Sequence, residues 1–433
     1  MWVVEHMKEK EREQYAIFEN YLSDEQEIVL NELIKWVENR TFQIKEKKIK
    51  VVRGFAGTGK TFLISELVKN LKKNRPLHIS LCCFTGKAVS VLKKRLKENN
   101  ALYDSDYIGT VHKMMYKPIF YIENGQPKLK KWEKINIYSD LIIVDEASMI
   151  NKKIFQDIIS HGIQTIFFGD AGQLPPISPE NFNLLECYDY ELTTPHRQSL
   201  ENPIIQLSQK IRNDEIIKVG IYGDGVFKLN NTQGKKVFED ILNNDYDENN
   251  TIVLCGLNRT RVELNKKIRK KLRGFEGFPN STDRIICLKN NSETGIMNGQ
   301  LGTLVFSLPS TINYCGKKLL ETTIKMDDHD IMFDALLDEG TFNSKNSFIN
   351  ISKTYNKKFF KFLNKNIKYS NYLNIDFFDY GYCLSVHKSQ GSEWENVIVF
   401  EETSKYWNMD FYKKWLYTAV TRAKKKLFII GME

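Results

Sequence analysis

The feature that most constrains the fold of this chain is a glycine-rich loop within residues 51–65, VVRGFAGTGKTFLIS. The β-branched residues before the loop predict a buried strand, and the apolar residues after it recur at helical spacing. The pattern Gly54-x-x-x-x-Gly59-Lys60-Thr61 lies between them, in the strand, loop and helix order of a Walker A motif. Backbone N–H groups and the helix N-terminus bind phosphate in such a loop. We therefore expect an α/β fold with a parallel sheet.

We assign the loop to the binding of ATP with Mg²⁺. Lys60 is expected to reach the terminal phosphates and to act in catalysis, and Thr61 is expected to bind the metal ion. A purely structural glycine turn is the alternative, but the strand and helix on either side argue against it. The expected nucleotide-binding residues of the loop are Gly54, Ala56, Gly57, Thr58, Gly59, Lys60 and Thr61.

Length and composition limit the remaining possibilities. A chain of 433 residues favours two main domains. Its formal charge of +9, from 63 basic and 54 acidic residues, permits a nucleic-acid partner without requiring one. The N-terminus MWVVEHMKEKEREQY is charged where a signal peptide needs an apolar core, and no window approaches the roughly 18 apolar residues of a membrane span. The seven cysteines form no C-x-x-C pair. We expect a soluble, cytoplasmic protein with reduced thiols and no membrane partner.

Polar residues follow two further apolar runs. In DLIIVDEASM, residues 141–144 predict a buried parallel strand that ends at Asp145 and Glu146. We assign Asp145 to the magnesium ion and Glu146 to orienting or deprotonating the attacking water. In TIFFGDAGQLPPI, residues 165–168 predict another strand, after which the amide of Gln173 can sense the γ-phosphate. Three strand ends at one edge predict a doubly wound α/β domain.

Gln26 has two interpretations. With Ser23 it forms the capping-box pattern of a helix start in LSDEQEIVLNELIKWV. Its amide can alternatively bind the adenine edge of the nucleotide, and we favour that role because of the motifs that follow.

A series of motifs resembles those of superfamily 1 helicases. In chain order they are GFAGTGKT, TGKAV, TVHKMM, VDEASM, GDAGQLPPI, LTTPHRQ, SVHKSQGSEW and YTAVTRAKKKLFII. The resemblance covers most of the chain and fits the 5′-to-3′ branch, which includes RecD-like helicases and the phage Dda helicase. It implies two RecA-like P-loop domains that clamp ATP between them, with an inserted β-hairpin and an inserted small SH3-like β-barrel. The implied boundaries are 1–112 and 140–192 for the first domain, 113–139 for the hairpin, 193–300 and 378–433 for the second domain, and 301–377 for the barrel.

The same resemblance implies site residues in the second domain. Arg197 and Arg422 would act as arginine fingers, which are worth about 10³–10⁵ in rate. Without the motif context, each would be interpreted as an ordinary surface ion pair. Gln390, Gly391 and Glu393 would contact the nucleotide or couple it to the bound strand.

Single-stranded DNA would cross the tops of both domains. A lone histidine is more often structural than a ligand contact, so both histidines below depend on their motif positions. Phe84 stands where relatives usually have proline, which makes Thr85 the more secure assignment. The expected DNA contacts are Thr85, Gly86, Lys87, Thr110, His112, Phe120, Tyr121, His387 and Ser389.

Two insertions interrupt the domains. Asn124-Gly125 is a strong hairpin signal, and the relatives carry a duplex-splitting pin at this point. Phe120, Tyr121 and Trp132 could stack on bases there, at about 1–3 kcal/mol per base, although a hairpin without function is the alternative. Within the second insertion, the segment 345–377 is rich in lysine, asparagine and aromatic residues. That composition suits single-stranded DNA, but such aromatic residues more often pack in a core, which is the interpretation that we favour.

These residues and the resemblance favour an ATP-dependent DNA helicase that translocates 5′ to 3′ and unwinds duplex DNA. One alternative is a DNA-stimulated ATPase that displaces proteins without separating strands, and another is a nucleotide-switched loader. The expected partners are single-stranded DNA and single/double-strand junctions, with a single-stranded-DNA-binding protein or replisome component as a further candidate. We expect a monomer with a place in DNA replication, recombination or repair, and the lysine- and asparagine-rich composition weakly favours a phage origin, in the host cytoplasm.

Overall fold

The computed structural model describes most of the chain, and the gaps fall mainly at the N-terminus and in the second insertion. The described residues are 22–39, 48–123, 126–176, 182–195, 201–274, 276–289, 291, 296, 298–314, 317–327, 332–344 and 375–431. The strands are β1 (Ile49–Gly54), β2 (Ile79–Cys83), β3 (Tyr107–Thr110), β4 (Tyr116–Glu123), β5 (Gln126–Lys134), β6 (Leu141–Val144), β7 (Gln164–Gly169), β8 (Tyr190–Leu192), β9 (Gly220–Gly223), β10 (Val226–Asn230), β11 (Thr251–Cys255), β12 (Arg284–Cys287), β13 (Leu301–Tyr314), β14 (Lys317–Met326), β15 (Met332–Asp338), β16 (Phe378–Tyr380), β17 (Cys383–Ser385), β18 (Trp394–Phe400) and β19 (Ala423–Gly431).

The helices alternate with these strands. They are α1 (Asp24–Glu38), α2 (Lys60–Asn74), α3 (Gly86–Glu98), α4 (Val111–Met115), α5 (Lys152–Ile159), α6 (Pro203–Arg212), α7 (Asn231–Asn244), α8 (Asn258–Arg273), α9 (Val386–Ser389) and α10 (Met409–Val420). In the described ranges, none of them combines the length and apolar character that a membrane span requires.

The first core is a six-stranded sheet in the order β3-β2-β6-β7-β1-β8. All its neighbouring strands pair in parallel. Strands β2 and β6 are buried along their whole length, because helices cover both faces of a parallel sheet. Helices α1, α2 and α3 pack on one face. The parallel arrangement brings the carboxyl ends of β1, β6 and β7 to a common edge, as the sequence predicts.

The second core is also six-stranded, in the order β17-β11-β18-β19-β10-β9. Its pairs are parallel except β9 with β10, which is antiparallel. The chain leaves this core after α8 and returns at β17, so an inserted element separates its strands. The two cores meet through apolar as well as polar contacts. Leu174, from the loop after β7, is fully buried in the hydrophobic cluster of the second core.

The inserted element is an antiparallel five-stranded sheet in the order β15-β14-β13-β12-β16. Two of its strands, β12 and β16, lie outside the range 301–377 that the sequence suggests for the second insertion. A bridge between Leu337 in β15 and Asp376, just before β16, brings the two edges of the sheet toward each other. The segment 345–374 is outside the described residues.

Strands β4 and β5 form a separate two-stranded antiparallel sheet after α4. Its base is held against α5, because Asp157 accepts hydrogen bonds from Tyr116 and from Lys134. Residues 124–125, the predicted turn, lie outside the described residues.

Candidate active site

The phosphate loop joins β1 to α2, as predicted. Gly59 has a φ of 72°, a left-handed conformation that favours glycine, and it precedes the first residue of the helix. Lys60 Nζ donates to the backbone oxygens of Gly54 at 2.7 Å and Phe55 at 3.0 Å. Thr58 Oγ1 also donates to the Phe55 oxygen, at 2.8 Å. These bonds close the loop around the N-terminus of α2, where backbone N–H groups are available to an anion.

A hydroxyl and a carboxylate meet beside this loop. Thr61 Oγ1 lies 3.3 Å from Asp145 Oδ2, although 84 residues separate them in the chain. The other carboxylate oxygen of Asp145 accepts the N–H of Glu146 at 2.9 Å. Burial raises the pKa of Asp145, and Lys60 opposes that shift. Hard oxygen donors next to a phosphate loop fit a magnesium ion.

Glu146 has the properties of a general base. Its φ of 56° is left-handed, which is rare for a residue other than glycine and clusters at functional sites. Its Oε2 is buried without a hydrogen-bond partner in the described part of the chain. Burial raises the pKa of Glu146 and Asp145 raises it further, while Arg422 and Lys60 lower it. A carboxylate held in this way can accept a proton near neutral pH.

Gln173 lies on the loop that follows β7. It is buried, and its Nε2 donates to Asp170 Oδ2 at 3.4 Å. Its Oε1 is buried with no hydrogen-bond partner among the described residues. The amide oxygen is therefore available to accept a hydrogen bond from a water or ligand in the cleft.

Arg422 belongs to the second core and acts on the first. Its guanidinium is buried and lowers the pKa of Glu146 across the cleft. Three hydrogen bonds fix it, to the Thr418 oxygen at 3.0 Å, the Ser392 oxygen at 3.2 Å and Thr421 Oγ1 at 3.1 Å. Arg422 is therefore not part of an ordinary surface ion pair. Arg197 lies outside the described residues.

Gln26 forms the predicted capping box with Ser23 at the start of α1. Its Oε1 accepts the N–H of Ser23 at 3.0 Å, and the Gln26 N–H bonds Ser23 Oγ at 3.2 Å. Its Nε2 donates to the backbone oxygen of Thr58 at 3.0 Å. Both ends of the amide are thus engaged by protein, and the residue ties α1 to the phosphate loop rather than presenting a free edge to adenine.

The three residues around Gly391 do not form one nucleotide contact. Gln390 Nε2 donates to the Leu174 oxygen at 2.7 Å and so joins the cores. Gly391 has a φ of 70°, and a Cβ there would lie 2.7 Å from Thr85 Oγ1, on the side expected to bind DNA. Glu393 is exposed and pairs with Lys424 at 3.5 Å. Gly391 thus lies beside Thr85 and Glu393 lies in an exposed ion pair, and a contact of either residue with nucleotide stays a prediction.

Several predicted DNA contacts do converge on one cavity of about 340 Å³ between the cores and the inserted sheet. Burial lowers the pKa of both histidines in its wall, so neutral imidazoles face it near pH 7. Lys388 also lines the cavity, and burial lowers its pKa to about 8. The lining includes Thr85, Lys87, His112, His387, Ser392 and Asp327.

Other predicted DNA contacts are placed differently. The Thr110 hydroxyl caps α4 by accepting the Lys113 N–H at 3.3 Å, and the residue is buried. Ser389 is fully buried, and its hydroxyl donates to the Val386 oxygen at 2.8 Å, so its side chain does not face the cavity. Lys87 Nζ lies 4.1 Å from the ring centroid of Trp394 in the second core.

The remaining expected DNA contacts are Gly86, which can offer only its backbone, and aromatic residues of the hairpin. Gly86 opens α3, whose cap hydroxyl from Thr85 accepts the Ala88 N–H at 3.2 Å. The side chains of Phe120, Tyr121 and Trp132 on the hairpin are outside the described residues.

Comparison with known proteins identifies the family. Residues 38–179 match a family described as an AAA domain, and residues 380–430 match the UvrD-like helicase C-terminal domain. The ATP-dependent RecD2 DNA helicase of Deinococcus radiodurans is 24% identical over 95% of this chain and 49% of its own. The ATP-dependent DNA helicase Dda of enterobacteria phage T4 is 29% identical over 53% of this chain and 54% of its own. These matches support the resemblance of this chain to superfamily 1 helicases of the Pif1/RecD-like family.

A solved structure supports the fold of this chain. Bacteroides Pif1 bound to single-stranded DNA matches 94% of this chain and 92% of its own, with a TM-score of 0.50 and 16% identity. At that identity the likeness shows the fold alone. The chain spans about half the length of the two curated relatives.

Sequence reasoning missed three residues that make contacts between the two cores. Tyr417 and Thr418, on α10, form hydrogen bonds to the first core. Thr418 accepts the N–H of Leu174, and the Tyr417 hydroxyl donates to Asp170, which directly follows β7. All three lie inside quoted motifs, next to residues that were assigned, in YTAVTRA and GDAGQLPPI. The signal was thus present, but their contacts appear only when the two cores are placed together.

Proposed function

We propose that this chain is an ATP-dependent DNA helicase that translocates on single-stranded DNA from 5′ to 3′ and unwinds duplex DNA. The observation that carries the proposal is the buried carboxylate of Glu146, which lies with Asp145 and Lys60 on one side and is acted on by Arg422 of the second core. RecD2 and Dda are named ATP-dependent DNA helicases, which agrees with this assignment.

The residues divide the hydrolysis reaction between the two cores. The phosphate loop binds the nucleotide, and Thr61 with Asp145 would hold magnesium, which supplies charge neutralisation at the phosphates. Glu146 accepts the proton of the attacking water, and Gln173 Oε1 orients that water. Arg422 stabilises the charge that develops during phosphoryl transfer. Because Arg422 comes from the second core, turnover requires the two cores to meet.

The cavity between the cores and the inserted sheet is the proposed path of the strand. Thr85 with the N-terminus of α3 offers N–H groups to a phosphate, and His112 and His387 stand on opposite cores. The five-stranded inserted sheet, which we assign to the SH3-like barrel, closes the third side through Asp327. The β4–β5 hairpin is the proposed pin, since Asp157 anchors its base to the first core.

A phosphate-loop variant tests the nucleotide assignment. Lys60→Ala should abolish ATP hydrolysis that is stimulated by single-stranded DNA, because the lysine is the loop's cation. Lys69→Ala, at a half-buried ion pair with Glu66 on the same helix, is a matched control and should retain activity. Stimulated turnover by Lys60→Ala would contradict the proposed function.

Tailed duplexes test polarity and strand separation. A duplex with a 5′ single-stranded tail should be opened and one with a 3′ tail should not. Opening of the 3′-tailed duplex alone would refute the direction, and ATPase activity without opening of either would favour the protein-displacing translocase. A nucleotide-switched loader would bind ATP without sustained turnover.

A hairpin deletion tests the pin. Replacing residues 117–133 with a short glycine-serine linker should leave DNA-stimulated ATPase activity intact and reduce unwinding. Unchanged unwinding would remove the pin role while leaving the motor assignment in place.

A further inference from the structure

The loop that carries Gln173 is held from the second core. The backbone N–H of Leu174 donates to Thr418 Oγ1 at 2.9 Å, and the Leu174 oxygen accepts Gln390 Nε2 at 2.7 Å. Gly172 N donates to Asp170 Oδ1 at 2.9 Å, which closes the loop on itself. Gln173 itself bonds Asp170 of the first core, while the residue that follows it is held by two side chains of the second core.

Tyr417 makes the contact that joins this loop to the phosphate loop. Its hydroxyl donates to Asp170 Oδ2 at 3.0 Å and accepts the N–H of Ala56 at 2.7 Å. Asp170 Oδ2 is the same oxygen that accepts Gln173 Nε2. Burial raises the pKa of Tyr417 well above its usual range, so the phenol keeps the proton that it donates. One side chain of the second core thus contacts both catalytic loops of the first.

The ring of Tyr417 is positioned as closely as its hydroxyl. A Cβ on Gly172 would lie 2.8 Å from Cε1 of the ring, so the ring packs directly on the glycine backbone. Tyr417 is 2% exposed, so protein encloses its ring in this arrangement of the cores. Its two hydrogen bonds therefore depend on the relative position of the two cores.

The bond to Ala56 has a chemical consequence. A phosphate loop binds phosphate oxygens through its backbone N–H groups, and each N–H has one hydrogen to give. Ala56 lies at the start of the loop, on the side that faces Asp170 and Gln173 rather than at the N-terminus of α2. The Tyr417 hydroxyl and an oxygen of the terminal phosphate would compete for this N–H.

We propose that Tyr417 is a positioning residue that links phosphate-loop occupancy to Gln173, by giving up the Ala56 N–H to the terminal phosphate while keeping its hydrogen bond to Asp170. The inference rests on the proposed ATPase activity and names the side chain that makes it depend on the second core.

Tyr417→Phe removes the hydroxyl and keeps the ring. Calorimetric titration should show AMP-PNP binding tighter by about two- to tenfold, the factor that one net hydrogen bond contributes, because a competing acceptor is gone. ADP, which lacks the terminal phosphate, should bind as it does to the wild type. The kcat for DNA-stimulated hydrolysis should fall about tenfold, since Asp170 loses a donor and holds Gln173 less firmly. A purely structural residue would not tighten binding while slowing turnover.

Tyr412→Phe is the matched control. This tyrosine is also on α10 and donates to a carboxylate, but its partner Glu401 belongs to the second core. It should leave both nucleotide affinities and kcat unchanged. Gly172→Ala is an independent perturbation, because it displaces the Tyr417 ring without touching the hydroxyl, and it should also lower kcat.

Two results would overturn the inference. One is AMP-PNP affinity of Tyr417→Phe within experimental error of the wild type, and the other is an equal change for AMP-PNP and ADP. A result that contradicts the role of Tyr417 can be distinguished from one that contradicts the proposed function. Turnover by Lys60→Ala removes the function, whereas an inactive Lys60→Ala beside an unaltered Tyr417→Phe removes only the role of Tyr417.

Discussion

Replacing Arg422 separates two contributions that this residue makes to the candidate active site. In the proposed mechanism its guanidinium stabilises the developing phosphoryl charge, and in the structure it lowers the pKa of Glu146. We predict that Arg422→Ala reduces kcat by about 10³–10⁵, the range found for arginine fingers. The same variant should shift the pH dependence of kcat.

The direction of the pH shift follows from the role of Glu146 as a base. Only the ionised carboxylate accepts a proton, so activity rises as pH rises through its pKa. A nearby opposite charge lowers a carboxyl pKa by about 1–3 units, and removing Arg422 takes that effect away. The acidic limb of the pH–kcat profile should therefore move to higher pH by about one unit or more.

A lysine variant separates charge from geometry. Arg422→Lys keeps the positive charge beside Glu146, so its acidic limb should stay near that of the wild type. Its kcat should still fall sharply, because an ammonium group cannot reproduce the planar fork that bonds Thr418, Ser392 and Thr421.

Folding must be monitored in both variants. Loss of three hydrogen bonds at about 0.5–1.5 kcal/mol each would destabilise the protein by about 1.5–4.5 kcal/mol, which thermal unfolding would detect. DNA-stimulated turnover by folded Arg422→Ala within tenfold of the wild type would refute the assignment of an arginine finger.

Three further variants test other parts of the structure. Gly54→Ala should abolish nucleotide binding, measured by calorimetry, because its Cβ would lie 2.7 Å from Thr58 Oγ1 and force the phosphate loop open. Glu146→Gln should retain nucleotide binding but lose hydrolysis by at least about 10²-fold, measured as phosphate release, because the amide cannot accept the proton. Lys228→Met should lower the free energy of unfolding by up to about 3–5 kcal/mol, because it removes the ammonium group that lies 2.9 Å from the buried carboxylate of Glu401, and the Tyr412 hydroxyl that also donates to this carboxylate carries no charge.

The phosphate loop and the carboxylate strand could be predicted from the sequence because each is a local pattern. Strand β1, the glycines and α2 occupy one continuous segment, and the buried run before Asp145 marks the end of β6. A parallel sheet then places such strand ends at one edge whatever the strand order. The order β6-β7-β1-β8 itself depends on pairing between distant segments, which no local pattern encodes.

The sequence predicted the location of several site residues but not the direction of their side chains. Ser389 is in the expected motif, but α9 has only four residues, too few to show which face is buried. Gln26 is beside the phosphate loop as expected, yet its amide bonds are set by the capping box and by Thr58. The bounds of the second insertion were missed because β12 and β16 pair across more than 90 residues of chain.

The discontinuity of the second core affects how the chain can fold during synthesis. The first sheet uses only residues 49–192, so all its strands are available once that segment leaves the ribosome. In the second sheet, β19 lies between β18 and β10, so these two strands are not joined in one sheet until residues 423–431 emerge. Until then, β10 and β18 expose unpaired edges that can aggregate. Arg422 directly precedes that strand, so a nascent chain acquires its proposed arginine finger and its complete second sheet at the same moment.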